Sequence, residues 1–291
     1  MRLSLVICSR NRAEQLQRSL AKLNLSAMDR LGIDLVLVDS ASSDATGEVM
    51  VRFGRDAAAT VNVLSTDRPG ASRARNIGAR AAQGDTLVFT DDDCYLAPDY
   101  FDVIQQQFDT AKYRYGGGDT RLFDEADAQS GVTHLLFDEV STIPAMVLLP
   151  SGMIQGANMF MVRETFQQIG GFDELLGAGT PFPCEDVELC TRASLAGHLG
   201  VLIPDAKVLH HHGRREGTPE LAVTEHGYDR GRGAYYARLL TMGQVGVWDL
   251  WAKGRQFADP GKSMSAERLS ILRNEMRGAA DYLDMVLDKP G

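Results

Sequence analysis

The sequence predicts an α/β fold: one mostly parallel central sheet flanked by helices, followed by a C-terminal helical extension. Three observations predict it. From Leu3 to Phe108, short apolar runs of strand length alternate with stretches of helical spacing. Polar clusters fall at the carboxyl ends of those runs, where open α/β sheets bind ligands: Ser9-Arg10-Asn11, Asp39 and Asp91-Asp92-Asp93. After about Gly213 the alternation gives way to two long helical stretches.

Leu3 to Cys8 is a continuous apolar run, suited to a strand buried on both faces. Asn11 with Glu14 three residues later opens a helix, along which Leu16, Leu20 and Leu23 recur. Asp34 to Val38 is a second buried strand with Asp39 at its end, and Ser43-Asp44-Ala45-Thr46 starts the next helix. Val61 to Leu64 reads as strand, Gly70 to Ala82 as helix, and Thr86 to Thr90 as the strand that runs into the acidic triad. Pro98 opens a helix to about Phe108. Tyr113 to Phe123 carries Gly116-Gly117-Gly118, which predicts a strand with a close backbone approach.

Thr133 to Thr142 reads as a short helix, Ala157 to Val162 as strand, and Glu164 to Ile169 as helix before the turn Gly170-Gly171. Glu185 to Ala196 is helical, and Val201 to Ile203 and Lys207 to His210 are two short strands. Pro219 to Met242 and Ser265 to Leu287 are helices joined by a Gly/Pro link near Pro260. The expected division is a catalytic unit at 1–213, with halves 1–110 and 111–213, and an extension at 214–291.

Composition sets limits on function. With 291 residues and 44% hydrophobic content, the chain can bury one sizeable core. A net charge of −9 argues against a general nucleic-acid binder. Cys8, Cys94, Cys184 and Cys190 have neither zinc-ligand spacing nor the density of a disulfide framework. The opening MRLSLVICSRN is too short in apolar residues for a signal peptide, and no run reaches the ~18 residues of a membrane span. The expectation is a cytoplasmic protein.

The chemistry gathers at carboxylates. Asp91, Asp92 and Asp93 repel one another unless they are solvated or meet a cation. Alternate residues of an extended segment point the same way, so Asp91 and Asp93 share a target. Carboxylate oxygens suit Mn²⁺ or Mg²⁺, which bridge to substrate phosphates. Glu185-Asp186 opens a helix, where such a pair either complements the helix dipole or supplies a base. His210 and His212 share one side of a strand, and an imidazole there can complete a Mn²⁺ site. Arg73 and Asn76 share one face of their helix.

Five segments in order complete the pattern: ICSRNR at Ile7 to Arg12, VDSASSDAT at Val38 to Thr46, GASRARNIGARAAQGDTLVFTDDDC at Gly70 to Cys94, GGFDE at Gly170 to Glu174, and EDVEL at Glu185 to Leu189. Together they resemble the family 2 inverting glycosyltransferases of GT-A fold, over roughly Leu3 to Gly213. The resemblance implies metal-dependent transfer of a sugar from a nucleoside-diphosphate donor, UDP by family frequency, to a saccharide or other hydroxyl acceptor. It implies donor contacts from Ser9, Arg10, Asn11, Asp39, Arg73, Asn76, Asp91 and Asp92. It gives Asp93 and His210 to the metal, with His212 the rival, and Asp186 the role of general base. Glu185 and Asn158 lie on the acceptor or sugar side. Ser40 stands where the family has a second carboxylate.

Arg214-Arg215 either closes over the diphosphate or is a solvated basic turn. Aromatic and basic residues in the C-terminal stretches suit packing on the catalytic unit or peripheral contact with the inner face of a membrane. Two other functions share part of the pattern: a non-catalytic sugar-nucleotide-binding protein and a sugar-1-phosphate nucleotidyltransferase. The latter normally has a glycine-rich phosphate loop after the first strand, which ICSRNR lacks. A dinucleotide oxidoreductase is excluded for want of G-x-G-x-x-G.

Overall fold

The computed structural model describes residues 1–57, 59–129, 134–254 and 264–288. Strands β1 (Leu3–Ser9), β2 (Asp34–Asp39), β3 (Val61–Ser65) and β4 (Thr86–Asp91) alternate with helices α1 (Ala13–Leu20), α2 (Leu25–Leu31), α3 (Thr46–Asp56) and α4 (Ala71–Ala81). Then come β5 (Cys94–Leu96), α5 (Tyr100–Gln107), β6 (Tyr115–Leu122), β7 (Ser141–Ile143), β8 (Met159–Val162), α6 (Arg163–Gln168), α7 (Glu185–Leu195) and β9 (Gly200–His210). The chain ends in α8 (Pro219–Thr241), α9 (Val247–Gly254) and α10 (Ala266–Leu287).

Among the described residues these strands form one nine-stranded sheet in the order β3-β2-β1-β4-β8-β6-β9-β5, with β7 also on β9. The β3-β2-β1-β4 half is parallel, and the mainly apolar runs of β1, β2 and β4 are buried along nearly their whole length. β1 shows why those runs do not alternate. Leu3, Leu5 and Ile7 pack with Leu16, Leu20 and Met28 on one face. Val6 packs with Ala74 and Phe89 on the other. Both faces are covered, so both sets of side chains are apolar. The other half mixes directions: β8 runs antiparallel to β4 and β6, while β6 and β9 are parallel.

Three expected elements differ. The helix expected from Thr133 to Thr142 is not formed over its described part, and Ser141–Ile143 is instead a strand antiparallel to β9, with Ile143 opposite Gly200. Burial of Ile143 against the sheet overrides the local helical pattern. The two short strands before His210 are one strand, β9, whose register against β6 shifts between Gly118 and Thr120. β5 and α2 were not expected from the pattern. Thr133 itself and the link near Pro260 lie outside the described residues.

The glycine run in β6 has the close approach its composition predicts. A Cβ on Gly118 would lie 2.0 Å from the Ala206 carbonyl oxygen. At the far end, Gly278 of α10 would place a Cβ 2.1 Å from the Arg230 carbonyl oxygen, so only glycine lets α10 lie this close on α8. α8 starts at Thr218, whose side chain accepts from the Leu221 amide, with Pro219 in the first turn. Tyr235, Tyr236 and Leu239 of α8 join Val187 and Leu189 of α7 in one apolar cluster, so the extension packs on the catalytic half. Among the described residues no helix is long and apolar enough to cross a membrane.

Candidate active site

The carboxyl ends of β1, β2 and β4 open onto a cavity of about 430 Å³. Ser9, Arg10 and Arg12 line it from β1 and the following loop, Ser40 from the end of β2, and Asp91, Asp92 and Asp93 from the end of β4. Gly156, the first turn of α7 with Glu185 and Asp186, His210 at the end of β9, and Arg214 close the other side. Tyr228 and Arg232 of α8, four apart and so on one helix face, complete the wall.

The triad reaches the cavity by a turn rather than by strand alternation. Only Asp91 belongs to β4, and Asp92 and Asp93 turn the chain into β5. The three carboxylates then differ in their partners, with Arg12 shared between Asp92 and Asp93. Asp91 accepts from Arg75 Nη2 at 2.8 Å. Asp92 accepts from the Ser9 hydroxyl and lies 3.2 Å from Arg12 Nη1. Asp93 accepts from Arg12 Nη2 at 2.7 Å and lies 3.3 Å from His210 Nε2. Their electrostatics diverge accordingly. Burial pushes Asp92 up to about 7 despite Arg12. Burial also acts against ionised Asp93, but hydrogen bonds and charge from His210 and Arg12 outweigh it and hold that carboxyl far below the usual range. Burial lowers His210, and its bond to Asp93 more than reverses this.

Strand register explains which histidine meets the triad. β5 pairs antiparallel with β9, and Cys94 stands opposite His210. His210 is therefore brought beside Asp93, whereas His212 Nδ1 accepts from the Arg214 amide and lines no part of the cavity. Asp93, Cys94 and His210 offer ligand atoms within 4.8 Å of one another. Burial drives the Cys94 thiol well above its usual value, so it stays protonated and is a poor ligand for a hard cation. A carboxylate oxygen and an imidazole nitrogen, with Asp91 in the same cavity, are a donor set that fits Mn²⁺.

Across the cavity, Asp186 Oδ2 accepts from the Gly156 amide at 2.7 Å and its Oδ1 from the Val187 amide at 2.7 Å. Burial, with Glu185 adding to it, pushes Asp186 up to about 7. Asp186 makes no ion pair among the described residues. Glu185 does: Arg75 Nη1 donates to its Oε1 at 2.5 Å. Arg75 thus spans the cavity floor from Asp91 to Glu185. It is buried, and the two carboxylates outweigh burial and hold it charged.

Several expected donor residues do not line the cavity. Arg73 pairs with Glu174 at 2.7 Å, and the arginine in the cavity is Arg75. Residues two apart on a helix lie ~200° apart, so only one of them can face the site. The signal was present: Arg75 has Ala71 and Ala79 at i−4 and i+4, a stripe of small residues that reads as the packed face. Asn76 is buried and clips the 170–174 turn to α4, donating to the Phe172 carbonyl at 2.9 Å and accepting from its amide at 2.8 Å. Asn11 has a left-handed backbone and accepts from the Ser43 amide at 2.7 Å. Asp39 accepts from the Ser42 amide at 3.1 Å, beside the lining residue Ser40.

Asn158 is a core staple rather than a sugar contact. Its Nδ2 donates to the Asp119 and Ala206 carbonyls at 2.8 and 2.7 Å, and its Oδ1 accepts from Tyr100 Oη at 2.7 Å. Substitution by alanine strands three buried partners, at ~1–3 kcal/mol each before relaxation. Asn158→Ala is expected to lower the urea midpoint clearly, and an unchanged midpoint would remove the staple role. Arg12, Arg75, Tyr228 and Arg232 were not singled out from sequence. For the α8 pair no local signal says which face meets the cavity.

The model of glycosyl transferase family 2 matches residues 4–170. An N-acetylglucosaminyl-diphospho-decaprenol L-rhamnosyltransferase of Mycobacterium tuberculosis is 42% identical over 62 residues, 21% of this chain and 19% of that protein. This chain thus matches about one fifth of that relative's length. Among solved structures, the mannosyltransferase PcManGT of Pyrobaculum calidifontis, in complex with GDP-Man and Mn²⁺, is similar with a TM-score of 0.63 at 16% identity, over 97% of this chain and 86% of that one. Residues 1–349 of S. aureus TarS with UDP-GlcNAc give 0.61 at 15% identity, over 98% and 83%.

Proposed function

The chain belongs to glycosyl transferase family 2, and from that premise we propose that it moves a sugar, with inversion, from a nucleoside-diphosphate donor to a hydroxyl acceptor. The observation that carries the reading is the division of carboxylates in one cavity. Asp91, Asp92, Asp93 and Glu185 are each matched to arginine or histidine, and Asp186 alone has no cationic partner among the described residues. A base must be free to take a proton, and its affinity should lie near working pH, as burial arranges for Asp186.

In this reading Asp186 takes the proton of the acceptor hydroxyl as its oxygen attacks the anomeric carbon. The bond from that carbon to the diphosphate oxygen breaks on the opposite face, which inverts the centre. The backbone amides of Gly156 and Val187 hold the Asp186 carboxylate in place. Asp93 and His210, with Asp91, would hold a divalent cation, Mn²⁺ by its donor set, whose charge would offset that of the departing diphosphate. Arg10, Arg12, Arg75 and Arg214 keep cationic charge around the same acidic end. Ser40, which lines the cavity at the end of β2, meets the base and ribose, with Asp39 directly before it in the chain. The catalytic unit is 1–213, and α8 of the 214–291 extension finishes its wall.

A panel of nucleotide sugars titrated with and without Mn²⁺ tests this, read as binding and slow donor hydrolysis. One donor class is expected to bind tightly and only with metal. His210→Ala should weaken Mn²⁺-dependent donor binding at least about tenfold, the scale of one lost ligand or its support, and His212→Ala should leave it near wild type. Equal binding of every donor without metal would sink the reading.

A further inference from the structure

α10 carries a second apolar stripe that the other described residues leave uncovered. Glu275, Gly278 and Tyr282 are buried, and they define the face turned to the rest of the chain. On the other side Leu269, Leu272, Met276, Ala280, Leu283 and Leu287 recur at spacings of three and four. Leu269 is 51% exposed, Met276 59% and Leu287 80%. Leu269, Leu272, Met276 and Ala280 outline an open groove. The stripe spans ~27 Å along the helix.

The charges beside it are sorted by position. On one flank, Arg273 and Arg277 come first along the chain, and Asp284 and the C-cap Asp288 follow. None of the four makes an ion pair among the described residues. Arg273 follows Leu272 as Asp284 follows Leu283, so both occupy the same place beside the stripe. Reversing the helix on a copy of itself sets Arg273 beside Asp284, twice over by symmetry, with Met276 over the small Ala280. An anionic lipid surface, by contrast, would be repelled by Asp284 and Asp288.

From this we propose that α10 pairs antiparallel with α10 of a second copy of the chain, forming a two-fold dimer with the catalytic cavities outside the interface. Such an interface is self-complementary, as two-fold symmetry requires.

Sedimentation of the full chain over a concentration series tests it. The expected species has twice the 31.8 kDa chain mass. Met276→Glu, at an exposed position that leaves the core intact, should raise the dimer dissociation constant at least about tenfold, with an unchanged circular dichroism melt. Asp284→Arg should weaken the dimer, and adding Arg273→Glu in the same chain should restore it. A monomer at every concentration overturns the proposal, as does a dimer indifferent to Met276→Glu. Binding to phosphatidylglycerol vesicles that Met276→Glu abolishes, with no dimer, would assign the face to lipid instead.

Discussion

Asp186→Asn is expected to lower the transfer rate by roughly 10²- to 10⁴-fold, the usual contribution of a positioned base, while donor affinity stays close to wild type. The amide is nearly the same size as the carboxylate and still accepts through one oxygen. It cannot take a proton, and it presents an NH₂ to one of the Gly156 and Val187 amides, each now 2.7 Å from a carboxylate oxygen. That local mismatch costs ~1 kcal/mol, small beside the loss of rate.

The pH profile gives an independent check. Burial raises Asp186 from 3.8 to about 7, so in wild type the rate should rise with pH through about 7 and then level off. The substituted enzyme should lose that limb. Stability moves the other way. A carboxyl raised on folding contributes stability that is present below about 4 and is lost as pH rises through about 7. Transfer that persists in Asp186→Asn with an unaltered profile would remove Asp186 as the base.

Arg75→Leu is the second large effect, and it should strike stability and activity together. The side chain is 7% exposed, and its Glu185 partner is 9% exposed. Removing the guanidinium leaves Glu185 charged, buried and unpaired, a change worth ~3–5 kcal/mol. The pair to Asp91 adds less, because Asp91 is 36% exposed and partly screened by water. Arg75→Lys keeps the charge but not the fork. Two nitrogens now reach two carboxylates, and one ammonium cannot span them. The lysine variant should therefore fold with intermediate stability and show impaired donor binding and transfer. A urea midpoint for Arg75→Leu equal to wild type would show that the arginine is not the bridge between the two sides of the cavity.

Much of the fold was legible locally. The runs at Leu3, Asp34 and Thr86 are mainly apolar on both faces because both sheet faces are covered there, and that leaves a mark in each short segment. The acidic triad and Glu185-Asp186 were legible for the same reason, since adjacent carboxylates at an element's end are visible without a partner. The second half was harder. β7 has only three residues and gains its stability from pairing with β9, so its own sequence is a weak guide. β5 was hidden behind the triad, and its pairing is what selects His210 over His212.

The sequence by itself determined the strand and helix alternation, the order of the motifs and the gathering of carboxylates at strand ends, because periodicity and adjacency act over a few residues. Tertiary structure alone decided how those carboxylates are shared out. Arg12 meets Asp93 from 81 positions away, Arg75 meets Glu185 from 110, and Asn158 is taken by carbonyls of the core. An ion pair is set by distance in space, and a buried polar group goes to whichever partner the packing brings within about 3 Å. That is why the motifs could name the triad but not the arginines that hold it.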